Sequence, residues 1–189
     1  GIGVDQKFLP TLFGGLSLSY RDMSVPVTAA GPTLSDFRVD WTETLGRAYM
    51  YWAPHKWFGL NAEYQYEKID RDMEFTASVK DMTTHRLPLG ASFYHPSGFS
   101  AMVKTTYFNQ KGTFLLPGVP DSPENYVNGS DTFWLCDASI SYRLPERYGM
   151  IIVGVKNLFD QSFKYYDTNP FNPAIQLDRM FFAKINLSI

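Results

Sequence analysis

Along most of this chain, apolar and polar side chains alternate with a period of two, which places successive residues on opposite faces of a strand. The end of the chain shows this most cleanly: Phe181, Ala183, Ile185, Leu187 and Ile189 share one parity, and Lys184, Asn186 and Ser188 share the other. Residues 60–67 repeat the pattern, with Leu60, Ala62, Tyr64 and Tyr66 set against Asn61, Glu63, Gln65 and Glu67. Capped stripes of helical period are missing. Alternating segments are predicted near residues 11–21, 43–53, 60–67, 87–93, 99–107, 134–142, 151–155 and 179–189, and the fold expected from them is all-β and antiparallel.

The links between these segments alternate in length. Short turns are predicted at Pro54-His55-Lys56-Trp57, at His95-Pro96-Ser97-Gly98 and at Pro145-Glu146-Arg147-Tyr148-Gly149. The remaining links are long, and the 112–131 and 160–175 stretches read as loops because they are rich in turn residues. Membrane barrels have this asymmetry, with short periplasmic turns and long outward loops. Counting back from Ile189 as a periplasmic end puts all three short turns on the periplasmic side. Rings cluster at both levels: Trp52, Trp57, Phe58, Tyr94, Phe99, Tyr142 and Tyr148 near the short turns, and Tyr20, Tyr66, Tyr107, Phe108, Trp134 and Phe159 near the other end. Two such girdles are expected where a barrel wall meets two membrane interfaces. The expectation is a transmembrane β-barrel, whose last strand pairs with the first and turns one face to lipid.

Composition supports this expectation. In 189 residues, 16% are aromatic, including 12 Tyr and 4 Trp, and the net charge of -2 gives no basis for a nucleic-acid partner. The longest unbroken apolar run is Met150-Ile151-Ile152-Val153-Gly154-Val155, far short of the ~18 residues of a spanning helix. Cys136 stands alone, which leaves no disulfide framework and no thiolate metal cluster. Gly1 does not open a leader-like segment, so a mature form or a fragment is expected.

The 153–160 segment reads Val-Gly-Val-Lys-Asn-Leu-Phe-Asp; Tyr165 and Tyr166 follow, then Asp178-Arg179-Met180-Phe181-Phe182 and the alternating finish. This resembles the C-terminal end of TonB-dependent outer-membrane receptors. There an Asn-Leu-Phe-Asp motif on the penultimate strand precedes a final loop, and a Gly-Arg pair opens the last strand. Asp178 stands where that family has Gly, and Ile189 where it has a terminal aromatic. The resemblance implies a parent barrel of about 22 strands around a globular plug. It makes residues 1–189, with about eight strands and no plug, the C-terminal segment of such a barrel; a shortened relative closing by itself is the other possibility. It further implies residence in a bacterial outer membrane, with lipid, a plug domain and a TonB-type energy coupler as partners.

Four polar residues in a row on one face cannot line a dry core without partners, because each buried carboxylate costs several kcal/mol or changes its protonation. Asn61, Glu63, Gln65 and Glu67, with Lys104, Asp137, Arg143 and Lys156, are therefore expected to line a wetted lumen or face a plug. An outward sheet face in a soluble barrel that binds an apolar ligand inside would carry the same alternation. Phe114 and Tyr126, in the stretch read as a long loop, and Tyr165 and Tyr166, in the final one, are candidate contacts to a ligand in extracellular loops. Phe163 and Phe171 belong to the same final loop. His55, His85 and His95 are scattered at no metal-ligand spacing, and no nucleophile or phosphate-loop motif is present, so neither enzymatic chemistry, a metal nor a cofactor is expected. The expected function is passive: wall, lumen lining and outer loops of a receptor taking up a scarce, bulky solute such as a metal chelate, vitamin or glycan. The alternative is an anchor or export-pore barrel without TonB coupling.

Overall fold

The computed structural model describes residues 1–29, 35–72, 79–116, 122–166 and 178–187. They form one antiparallel sheet of nine strands that neighbour one another in chain order. These are β1 (Ile2–Leu9), β2 (Leu12–Ala29), β3 (Ser35–His55), β4 (Phe58–Arg71), β5 (Val79–Tyr94), β6 (Phe99–Leu115), β7 (Tyr126–Arg143), β8 (Gly149–Lys156) and β9 (Met180–Leu187). Among the described residues the helical content is limited to two single 3-10 turns, Pro123–Asn125 and Pro145–Arg147.

The expected count of eight strands is corrected to nine. The missed strand is β1, in which Ile2 and Val4 alternate with Gly3, Asp5 and Lys7 before Pro10 and Thr11 turn the chain into β2. The connections at 10–11, 56–57, 95–98 and 144–148 all lie at one end of the sheet, as a simple up-and-down order requires. At the third of these, the Gly98 N–H donates to the His95 carbonyl at 3.0 Å and Gly98 takes φ of 92°, which glycine adopts without steric cost. The strands also run further from the short-turn end than alternation alone indicates, and β2 and β3 stay paired from Leu12↔Trp52 out to Ala29↔Ser35.

Register sorts the side chains into two faces. One row across the sheet runs Leu16, Ala48, Tyr64, and another runs Ala91, Val103, Ala138, Val155, Phe181. This apolar face carries a run of rings near the short turns, Trp52, Phe58, Phe93, Phe99 and Tyr142, and a second partway along the strands, Tyr20, Tyr66, Tyr107 and Trp134. Phe58 and Phe93 pack at 5.3 Å between centroids, and Tyr107 and Trp134 at 5.1 Å. Phe108 and Tyr94, expected among these girdles, point to the other face, where Phe108 stacks on Phe133 at 4.9 Å.

Burial is inverted relative to a soluble sheet. Many side chains of the apolar face stay exposed, Leu18 at 62%, Trp134 at 50%, Ile140 at 53% and Ile185 at 64%, although Val155 on the same face is buried. The buried residues Ile69, Met82, Thr84, Phe108, Gln110 and Phe133 sit on the opposite, polar face. The leucines and tyrosines of β4 are thus not gathered at a centre. A folded monomer of 21.6 kDa exposes about 9,200 Å², whereas this chain exposes 12821 Å², the signature of a single layer rather than a packed sandwich.

Among the described residues β1 pairs only with β2, and β9 only with β8, so the sheet is open. Strands bonded on both sides open less readily than edges bonded on one. Hydrogen exchange of the chain in detergent is expected to be slowest in β4, β5 and β6 and distinctly faster in β1 and β9; equal protection throughout would show that the two edges pair with each other.

Candidate functional site on the polar face

A chain of side chains, joined by hydrogen bonds and one cation–π contact, crosses the polar face from β1 to the β8–β9 connection. Asp5 and Tyr49 lie on either side of Gly15 in the register, and the Tyr49 hydroxyl donates to the Asp5 carboxylate across it. A methyl group at Gly15 would collide with both partners, so β2 carries no side chain where they meet. The Arg47 guanidinium lies over the Tyr49 ring at 4.7 Å and grips Glu63 with two bonds, Nε to Oε1 at 2.5 Å and Nη2 to Oε2 at 3.0 Å. Such two-point contacts are the strong form of the ion pair. Gln65 donates to Glu63 at 2.6 Å, Arg86 donates to Gln65 at 3.1 Å, and the other Arg86 amine donates to the Tyr165 hydroxyl at 3.1 Å.

Tyr165 belongs to a strap, residues 161–166, that leaves the end of β8 and lies across the polar face of β5, β6 and β7. Its root is the Asn157-Leu158-Phe159-Asp160 motif. Asn157 and Asp160 take φ of 49° and 54°, a left-handed conformation that Asn and Asp tolerate better than most residues. The Asn157 side chain accepts from the Gln161 N–H at 2.8 Å and donates to the Gln161 carbonyl at 3.0 Å, which turns the chain back over the sheet. Asp137 accepts from the Asn157 N–H at 3.0 Å. Asp160 accepts from the Arg179 N–H at 3.0 Å and pairs with its guanidinium at 3.3 Å, fixing the start of β9.

Three rings seat the strap. Phe163 stacks on Phe133 at 4.4 Å, Tyr165 meets Phe108 edge-on at 6.0 Å, and Tyr166 stacks on Phe114 at 4.1 Å. Beneath them, wholly buried Gln110 holds the strap backbone: its Nε2 donates to the Tyr166 carbonyl and its Oε1 accepts from the Tyr166 N–H, both at 3.1 Å, while Nε2 also donates to the Thr84 hydroxyl at 3.1 Å. Asp131 accepts from the Lys164 N–H. Gln110 is paired at both ends of its amide, as a buried polar side chain must be.

Comparison with protein-family models, with curated proteins and with solved structures finds no match. Function therefore rests on the geometry of this chain.

Asn61, Glu63, Gln65, Glu67, Lys104, Asp137, Arg143 and Lys156 all share the polar face by register. They do not converge on one point: Glu63 and Gln65 join the chain of bonds, Asp137 braces the strap root, and Lys104 stands opposite Asp137 in the β6–β7 ladder. Two of the expected loop contacts are corrected. Phe114 is a buried residue of β6 and Tyr126 opens β7, so residues 112–115 and 126–131 of this stretch are paired strand. Tyr165 and Tyr166 do lie in the final connection but are folded onto the wall. Phe171 and Ile189 fall outside the described residues. Gln110 and Asp131 are not among the candidate site residues read from the sequence, and Asn157 enters there only as part of the resembling motif; a glutamine on an otherwise ring-rich stretch is the one signal that Gln110 offers.

Replacing Gln110 with Ala leaves the strap backbone groups without partners and is expected to cost about 2 kcal/mol, read as a lower denaturant midpoint. Gly15→Ala drives a methyl group into the Asp5–Tyr49 contact and is expected to cost about 1–3 kcal/mol, with faster exchange of β1 amides as its local mark.

Proposed function

We propose that this sheet is a wall segment of a transmembrane β-barrel in a bacterial outer membrane, with the apolar face toward lipid and the polar face toward water. One observation carries the reading. An exposed apolar face runs across nine strands between two levels of rings, while the charged side chains between those levels lie on the opposite face. In water each of these exposed apolar side chains would forgo about 1.5–3 kcal/mol of burial; in lipid that penalty vanishes. From Leu12 to Tyr20 the band takes nine residues of strand, against about 9–11 residues for a tilted strand that spans a membrane.

The open edges of β1 and β9 support a larger barrel, since unpaired backbone groups are not tolerated within hydrocarbon. Together with the 153–182 motifs, this favours a receptor of the TonB-dependent type, of about 22 strands, with a plug and an inner-membrane coupler as partners and a bulky, scarce solute as cargo. Its contribution is structural: it walls and lines the path while other parts of the parent supply energy and gating. The soluble alternative, with the β4 leucines and tyrosines inward, is not supported, because those residues form the uncovered face.

The test places single cysteines at Ala62 and Glu63 in a Cys136→Ser background. A membrane-soluble reagent is expected to modify the first and an aqueous reagent the second, with the protein in the outer-membrane fraction and its gel mobility changed by boiling. The reverse labelling pattern, or unchanged mobility of a protein found in the soluble fraction, would refute the reading. A plug-like domain preceding the barrel in the parent gene supports the receptor, and helical repeats there support the export pore.

A further inference from the structure

We infer that the apolar face of β4–β7 carries, past its second level of rings, a binding site for the phosphate of a lipid headgroup, centred on Thr83 and held by Lys68 and Lys111; this rests on the reading of that face as the lipid side of the wall. Beyond Tyr66, Tyr107 and Trp134 the strands continue, and the register keeps Lys68, Thr83, Lys111 and Ser130 in one cross-strand row on the same face as those rings. On these four strands no charged side chain shares this face between the rings and the short turns. The two lysines are the first charges met on it. In a membrane wall such a change falls where hydrocarbon gives way to headgroups. Lys68 lies two residues past Tyr66, about 7 Å along the strand, and a headgroup layer is about 5–8 Å deep.

Thr83 pairs with Lys68 on one side and with Lys111 on the other, so two ammonium groups flank one hydroxyl. Their strands are about 10 Å apart, and the flexible lysine stems let both charges converge on a phosphate lying over Thr83. Lys111 and Thr83 also line a cavity of about 420 Å³, to which Thr113, Asn128 and Ser130 add hydroxyl and amide groups. Both lysines are exposed, and neither forms an ion pair among the described residues, so their charge is not neutralised within the sheet. Asp70 and Asp81 oppose each other one row further out, and Asp81 borders the cavity. Like charges directly opposed repel, so this row favours a layer of cations; Mg²⁺ in particular is held by carboxylates together with phosphate oxygens. The order along the strands is rings, lysines, carboxylates. It matches a headgroup of fixed orientation, with acyl chains beside the rings, phosphate at the lysines and accompanying cations at the outer rim. A free anion has no such orientation and no reason to settle where an apolar face ends.

The experiment extracts the full chain from the membrane in a neutral detergent with Mg²⁺ present and measures lipid retention by native mass spectrometry, with phosphatidic acid and diacylglycerol of the same acyl chains as probes. Phosphatidic acid is expected to be retained about tenfold more tightly, the order that two lysines contribute at a charged lipid surface. Lys68→Ala with Lys111→Ala is expected to remove that preference and to leave diacylglycerol retention unchanged, which also shows that the apolar face of the variant is intact. Lys7→Ala with Lys184→Ala takes two cations from the polar face instead and is expected to leave the preference in place. Lys111→Gln alone is expected to give a smaller loss in the same direction and serves if the Lys68 and Lys111 double variant does not assemble. Equal retention of the two lipids by the unaltered chain, an unchanged preference once Lys68 and Lys111 are replaced, or full displacement by inorganic phosphate would overturn the site while leaving the lipid-facing wall standing. A chain that stays dispersed without detergent and retains neither lipid would overturn the lipid-facing reading, and the site with it.

Discussion

Pairing register is the constraint on which both faces of this sheet depend. With side chains alternating at a period of two, a slip of one residue in any ladder would carry Leu60, Ala62, Tyr64 and Tyr66 to the wall that holds Arg47 and Arg86. Long ladders guard against this, and β6–β7 runs unbroken from Phe99↔Tyr142 to Leu115↔Tyr126. The irregularities in β1–β2, β3–β4 and β5–β6 are confined to strand ends, which leaves the alternation between them intact. Cross-strand contacts on both sides, Tyr107 with Trp134 and Arg47 with Glu63, form only in this alignment and so reinforce it.

The parts legible in the sequence are those where one face is apolar and the other polar. The middle of β4, the hairpin of β5 and β6, and β9 announce themselves by contrast, and the eight polar wall residues follow from the same parity. Contrast disappears beyond Tyr20 and Thr44, where Asp22, Ser24 and Pro26 meet Arg38, Asp40 and Thr42. Both members of each pair are polar or turn-prone there, so a strand looks like a loop. β1 was hidden differently, being short and closed by Pro10, although Ile2 and Val4 against Gly3, Asp5 and Lys7 carry the pattern.

The 112–131 stretch is the instructive error. Gly112 and Gly129 face each other across β6 and β7, and a side chain at Gly129 would meet both Phe114 and Tyr166. Their small size makes room for a ring stack, not for a bend. Composition alone cannot separate these two uses of glycine, because the reason lies in a segment far along the chain. The Asn157–Asp160 motif was noticed for its resemblance, whereas its physical work is a left-handed turn whose two polar side chains aim the strap at the wall and start the last strand.

The grip on the strap passes through main-chain atoms: Gln110 holds the carbonyl and N–H of residue 166, and Asp131 the N–H of residue 164. Main-chain groups are the same whatever side chain they bear, proline apart. Lys164 and the outward parts of its neighbours are therefore free to diversify while the path of the strap persists. The strap is thus a rigid mount with exchangeable fittings.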